Sequence, residues 1–185
     1  MAARSGTVAN ALLVPDPCEL LDEVTGETRA RFLELAKDYD GAGGKITDGS
    51  RCEARLALTL EREGVLDGEL TRPEWGEALD RHGQAWDFKG PHSREAILAK
   101  VLPLGADLQS PEAASIHTED AFDLETELRR VRAKQRAEFG VVFDLRRLRI
   151  EQALELVAAV NAHPDLDPNL VRFFPTDLTP FGAGA

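Results

Sequence analysis

The run Trp86-Asp87-Phe88-Lys89-Gly90-Pro91 constrains this chain more than any other stretch. In an extended segment alternate side chains point to opposite faces. Asp87 and Lys89 therefore share one face. Trp86 and Phe88 share the other, where two aromatic rings anchor the strand in apolar packing. On the polar side, a carboxylate beside an ammonium at the rim of a sheet can engage a divalent cation and a phosphate together. The rest of the chain is then read for helices to cover such a sheet and for further oxygen donors.

Residues 18–38 carry broken helical spacing through Leu20, Leu21, Val24, Phe32, Leu35 and Ala36, with Gly26 a weak point. Residues 40–44 read as a loop, and the acids around it lack the ligand register of a calcium-binding loop. The spacing predicts a helix over 50–64, with Ser50 as N-cap, Glu53 three residues on and Gly64 as the stop. Residues 74–80 and 85–89 read as a hairpin closed by the loop Arg81-His82-Gly83-Gln84. Ser93 caps a helix to Leu102, 103–118 is irregular, and a charged helix covers 119–138. A continuous apolar strand at 141–145, an amphipathic helix at 149–162 and a strand at 170–174 imply a right-handed crossover joining two parallel strands. The expected fold is α/β, a mixed central sheet flanked by helices. A helical lead-in occupies 1–48, the α/β domain 49–178 and a loose tail 179–185.

No apolar run approaches the roughly 20 residues of a membrane helix, and the short apolar lead at 7–14 is not followed by a signal-peptide cleavage site. Cys18 and Cys52 are too few for a disulfide framework or a zinc site and read as reduced thiols of a cytoplasmic protein. The net charge of −11 argues against broad wrapping of nucleic acid. The sign is uneven, however: Arg129, Arg130, Arg132, Lys134, Arg136, Arg146, Arg147 and Arg149 form a basic stretch. Such a patch steers a polyanion, or it is a solvated helix face balanced by the acids of 119–127. No glycine-rich phosphate loop follows a strand.

Pairing Leu79 with Trp86 sets a register in which Trp75, Leu79, Trp86 and Phe88 form the core face. Glu74, Gly76, Ala78, Asp80, Asp87 and Lys89 then form the polar face. Small residues opposite Asp87 and Lys89 leave room for a cation and a phosphate. Glu53 shares a helix face with Ala57 and Leu60, so it points inward, where a carboxylate needs a cation or a strong donor. A Ser50–Glu53 capping box is the other account of it. An exposed same-face ion pair is the other account of Asp87 and Lys89. Arg51 and Arg55 flank Glu53 and could meet phosphate or solvent. His82 and His92 read as turn histidines.

Glu53 on a helix, an acid after Pro73, and Asp87-Phe88-Lys89 on a hairpin strand resemble the PD-(D/E)xK, restriction-endonuclease-like, nuclease superfamily. The Trp-Asp-Phe-Lys-Gly-Pro string also looks like the core of nuclease domains at the C-termini of bacterial polymorphic toxins, including contact-dependent inhibition toxins. By order of elements the resemblance spans about residues 50–175. It departs at the first acid, where the family carries aspartate after proline and this chain has Pro73-Glu74. Glu74 leads for that role and Asp80 follows, whereas Glu77 has the wrong parity in the register above.

The resemblance implies a restriction-endonuclease-like fold and an endonuclease dependent on Mg²⁺, or Mn²⁺ in its place. Glu74 and Asp87 would ligate the metal, Glu53 would complete its shell, and Lys89 would orient or deprotonate water. Arg51, Arg55, Arg129, Arg132 and Arg136 would contact the substrate, DNA or RNA. It further implies a toxin effector domain, cytoplasmic or delivered into a target cell, with a possible cognate immunity protein and no membrane partner. The acidic balance also suits a non-catalytic interaction protein, immunity or adaptor, on the same scaffold.

Overall fold

The computed structural model describes residues 26–178, apart from 103–105, 108 and 120. The lead-in before residue 26 and the expected tail at 179–185 lie outside the described residues. The elements are α1 (Gly26–Leu35), β1 (Lys37–Asp38), α2 (Tyr39–Ala42), β2 (Lys45–Ile46), α3 (Asp48–Arg62), β3 (Ala78–Leu79) and β4 (Ala85–Lys89). They continue with α4 (Arg94–Val101), α5 (Pro111–Ser115), α6 (Leu124–Arg136), β5 (Gly140–Asp144), α7 (Ile150–Ala162) and β6 (Val171–Phe174). The main sheet has the order β3-β4-β5-β6. Strand β3 is antiparallel to β4, and β4, β5 and β6 are parallel. The mixed sheet with its parallel closing pair is the one the sequence pattern predicts.

Helices cover both faces of the sheet. On one face Ala78, Trp86, Phe88, Val142 and Phe174 pack against Phe32 and Leu35 of α1 and Ala54, Leu56, Ala57 and Leu60 of α3. On the other, Val141, Phe143 and Val171 pack against Leu128 and Val131 of α6 and Ala153, Leu156 and Val160 of α7. Trp86 sits opposite Gly140 in the ladder. A Cβ on Gly140 would lie 2.5 Å from the indole, so the tryptophan lies flat over its neighbouring strand only because a glycine is there.

Local chemistry moves several boundaries. Helix α3 starts earlier than the sequence suggests. Thr47 is the N-cap and accepts from the Ser50 amide at 3.1 Å, and the Ser50 hydroxyl returns a bond from the Thr47 amide at 2.9 Å. Ser50 is therefore the third residue of the helix, and Glu53 takes no part in its cap. The helix stops where expected: Gly64 is left-handed at φ 65° and the Val65 amide bonds the Leu60 carbonyl at 2.9 Å. The expected loop at 40–44 holds most of α2 and lies between the two strands of the small β1–β2 ribbon, and the irregular 103–118 segment contains α5. Cys52 is disulfide-bonded, not a reduced thiol; the chain's other cysteine, Cys18, lies outside the described residues. Sequence separation gives no measure of whether two thiols meet.

The largest correction is in the hairpin. Asp80 and Gln84 close it through an amide-to-carbonyl bond of 3.1 Å, and Gly83 is left-handed at φ 79°. The Asp80 carboxylate accepts from the His82 and Gln84 amides at 2.9 and 3.0 Å. The loop is thus Arg81-His82-Gly83, three residues and not four, with glycine in the left-handed position such loops use. Removing one loop residue slips the register by one. Ala78 pairs with Trp86, and Leu79 with Ala85. Since side chains alternate, that slip exchanges the two faces of the incoming strand.

Candidate active site

The observed register, continued one step past β3, puts Glu77 opposite Asp87. The Glu77 carboxylate accepts the Phe88 amide, so a side chain takes over where the short edge strand stops supplying carbonyls. Burial raises the pKa of Glu77 to about 8, and the charges of Asp87 and Glu53 push the same way. The Phe88 amide and Lys89 oppose the rise. Two carboxylates that share a site cannot both ionise cheaply, so Glu77 holds a proton at neutral pH.

Asp87 is only 2% exposed, although it is a carboxylate on a strand. Its Oδ2 lies 2.6 Å from the Lys89 Nζ, and its Oδ1 is paired with the Lys134 ammonium, reaching down from α6. Two cations on one buried anion offset its desolvation. Oδ2 is within ion-pairing distance of Lys89 yet makes no well-angled hydrogen bond. Glu127, also on α6, is 3% exposed and accepts from Arg130 at 2.6 Å. Burial raises its pKa, and Arg130 and Lys89 counter this. Its Oε2 is buried without a hydrogen bond. Lys89 therefore stands in the field of two buried carboxylates, one on its own strand and one on the covering helix.

Asp87 and Lys89 are together, as the alternation predicts, and Lys134 joins them. Glu74 is exposed and takes no part in these contacts, because the slipped register carries it away from Asp87. Asp80 is committed to the turn and, through Oδ2, to the Trp86 indole N–H at 3.0 Å. Glu77, set aside on parity, is the acid that meets Asp87. Glu53 points inward as expected, but its partner is Arg72, 2.9 Å away; Arg72 also donates to the Leu35 carbonyl at 3.0 Å. Glu53 reaches the cluster through its field on Glu77.

The arginines scatter. Arg51 is an exposed partner of Asp48 at 3.6 Å, and Arg55 is on the same helix. Arg129 is exposed and donates to the Thr126 hydroxyl at 3.3 Å, Arg132 meets the His163 ring, and Arg136 is exposed. Helix α6 nevertheless lies on the Asp87 face. Trp75, expected in the core, is 56% exposed.

Glu127, Val131 and Lys134 follow the i, i+4, i+7 spacing of one helix face, and that was the signal for the two α6 residues. Beyond the end of β4, His92 gathers a second set of cations. Its Nε2 meets Arg147 and lies 3.2 Å from the Lys100 Nζ. Burial, then Lys100 and Arg147, drive its pKa down to about 4.

Among the described residues no three of His, Cys, Asp and Glu form a group arranged to hold a metal ion as they stand. Glu77 and Asp87 face each other, and one buried oxygen of Asp87 and one of Glu127 lack hydrogen bonds. No helix among the described residues is long and apolar enough to cross a membrane. No protein-family model matches the chain, and neither a curated protein nor a solved structure matches it.

Proposed function

We propose that this chain is a metal-dependent nuclease of the restriction-endonuclease-like kind. The observation that carries the reading is the pairing of Glu77 with Asp87 across the hairpin, with Lys89 and Lys134 both bound to Asp87. Asp87 and Glu77 are the residues that would hold Mg²⁺ or Mn²⁺, with Glu53 behind Glu77; this replaces the expected set of Glu53, Glu74 and Asp87. The bound ion would supply a Lewis acid for the scissile phosphate. To hold the ion, Glu77 would have to be ionised and Asp87 would have to release one of its two ammonium partners. Lys89, fixed between Asp87 and Glu127, orients the attacking water and stabilises negative charge developing on phosphate. Lys134 presents a second cation to the same charge. Placement of α6 brings Lys134 and, through Glu127, Arg130 to this face, which supports a polyanionic substrate.

The toxin context, a cognate immunity protein and delivery into another cell's cytoplasm rest on the resemblance of the Trp86–Pro91 run. The net charge of −11 favours a second reading, a non-catalytic interaction protein on the same scaffold. Incubation with DNA and RNA in Mg²⁺ or Mn²⁺ separates the two. The nuclease reading expects cleavage abolished by chelation and lowered about 10²- to 10⁴-fold by Asp87→Ala and by Lys89→Ala. Absence of cleavage with either ion, or full activity in Asp87→Ala, would overturn it.

A further inference from the structure

Among the described residues, Trp75 is the aromatic one of the large apolar side chains left in solvent. It stands two residues before Glu77. Its ring meets Phe139 edge to face, with centroids 5.8 Å apart and planes at 84°. That contact fixes the indole without covering it. The Lys134 ammonium lies over the same Phe139 ring, 5.2 Å from its centroid, and is the group paired with Asp87. The chain between the indole and the acid also rests on Phe139, since a Cβ on Gly76 would come within 3.3 Å of that ring. One continuous set of contacts thus runs from an exposed indole, through the half-buried Phe139 ring, to an ammonium group and the buried carboxylate.

We propose that Trp75 is a stacking platform for one unpaired nucleobase of a single-stranded nucleic acid, whose phosphate lies toward Lys134 and Lys89. The phosphate part of this assignment rests on the nuclease reading; the stacking part is read from the indole itself. Size and charge select the occupant. A stable protein partner needs about 1,200 Å² or more of total buried surface, and a lone indole offers a ring's area. The other exposed apolar side chains, Leu33, Ile46, Val101 and Leu154, belong to other elements and do not enlarge it. A base presents a π-face of matching size and brings with it the negative charge that the adjacent ammonium groups attract.

The test uses the full chain in chelator, so that nothing is cut, with a thymidine dodecamer and a uridine dodecamer at about 50 mM salt, where phosphate contacts are strongest. The protein has two tryptophans and Trp86 is buried, so quenching of indole fluorescence reports Trp75. A dodecamer is expected to quench it. Trp75→Ala should weaken binding about 5- to 100-fold, and Trp75→Phe should restore most of it. An abasic dodecamer with the same phosphates should bind the wild type as weakly as the normal dodecamer binds Trp75→Ala. No binding of either dodecamer, unchanged affinity in Trp75→Ala, equal binding of abasic and normal strands, or equal dependence on Trp75 with a blunt duplex would each overturn the proposal. Cleavage in Mg²⁺ is scored separately. Cleavage that survives with no dependence of binding on Trp75 removes the platform and keeps the nuclease. Binding that depends on Trp75 without any cleavage keeps the platform and removes the nuclease.

Discussion

Strand β4 is solved twice, once on each face. Trp86 and Phe88, at 4% and 7% exposure, are closed over by the apolar side chains of α1 and α3, and the Trp86 indole N–H is satisfied by the Asp80 carboxylate. Asp87, on the opposite face, is as deeply buried as the tryptophan, but it is held by two ammonium groups, one from its own strand and one from α6. The first arrangement stabilises in proportion to the apolar area removed from water. The second is a poor way to stabilise a fold, because buried ion pairs can often be replaced by apolar residues at no loss. It also leaves oxygens of Asp87 and Glu127 without hydrogen bonds. On the proposed reading, that cost is the cost of keeping a carboxylate where an ion would be held.

Neighbouring residues on β4 should therefore respond in opposite ways. Trp86→Ala empties the core between the sheet and α3 and should cost about 3–5 kcal/mol in urea unfolding. Asp87→Asn keeps the shape and removes the buried charge. It leaves Lys89 and Lys134 without their shared anion, but both ammonium groups reach solvent, so it should cost about 1–2 kcal/mol, less than Trp86→Ala, while cleavage is lost. If Asp87→Asn unfolds the chain as severely as Trp86→Ala, the charged face is a structural keystone and the contrast between the two faces disappears.

The second contrast lies in proton binding. The pKa of Glu77 rises to about 8 on folding, chiefly through burial and then through Asp87 and Glu53. The unfolded carboxyl ionises in its ordinary range, near 4.5. Between these two values the folded chain holds a proton that the unfolded chain has released. Stability supplied by the neutral carboxyl is therefore complete below the ordinary range, falls as pH rises toward 8 and levels off above it. Each pKa unit corresponds to about 1.4 kcal/mol, so the decline is on the order of a few kcal/mol. Glu77→Gln stays neutral and can still accept the Phe88 amide, and it should remove this decline. Urea midpoints at pH 5 and pH 8.5 measure it; an unchanged slope in Glu77→Gln would show that the carboxyl is ionised throughout.

Much of the frame was legible because it follows from alternation and composition. The opposed faces of Trp86 and Asp87, the continuous apolar β5, the amphipathic α7 and the parallel β5–β6 pair all come from side-chain period and crossover geometry. The acid partner of Asp87 was not legible, because it turned on the length of one loop. Arg81-His82-Gly83-Gln84 and Arg81-His82-Gly83 are both plausible loops, and the choice between them rests on Asp80 capping two amides with its side chain while Gly83 turns left-handed. The apolar pattern of the short β3 could not arbitrate, since Ala78 and Leu79 each suit a core face. Glu53 was placed facing inward correctly, but its partner, Arg72, lies on a segment with no periodicity to announce it. Lys134 was counted in a basic stretch, where a charge run hides the α6 member that pairs with Asp87.

The smallest expected effect sharpens the choice between two glutamates three residues apart. Glu77 is mostly buried at the sheet edge, bonded to the Phe88 amide and opposite Asp87; Glu74 is in solvent. Surface substitutions away from caps, cores and networks usually stay within about 0.5 kcal/mol. Glu74→Ala should accordingly leave both the urea midpoint and the rate of cleavage near those of the wild type. Glu77→Ala in the same assay should lose cleavage, because Asp87 then has no carboxylate opposite it to share an ion. Running the pair side by side decides the register in function as well as in structure. If the loss falls on Glu74→Ala and Glu77→Ala cleaves normally, then the four-residue loop and the acid that follows Pro73 describe the working enzyme, and the hairpin register set by Gly83 does not.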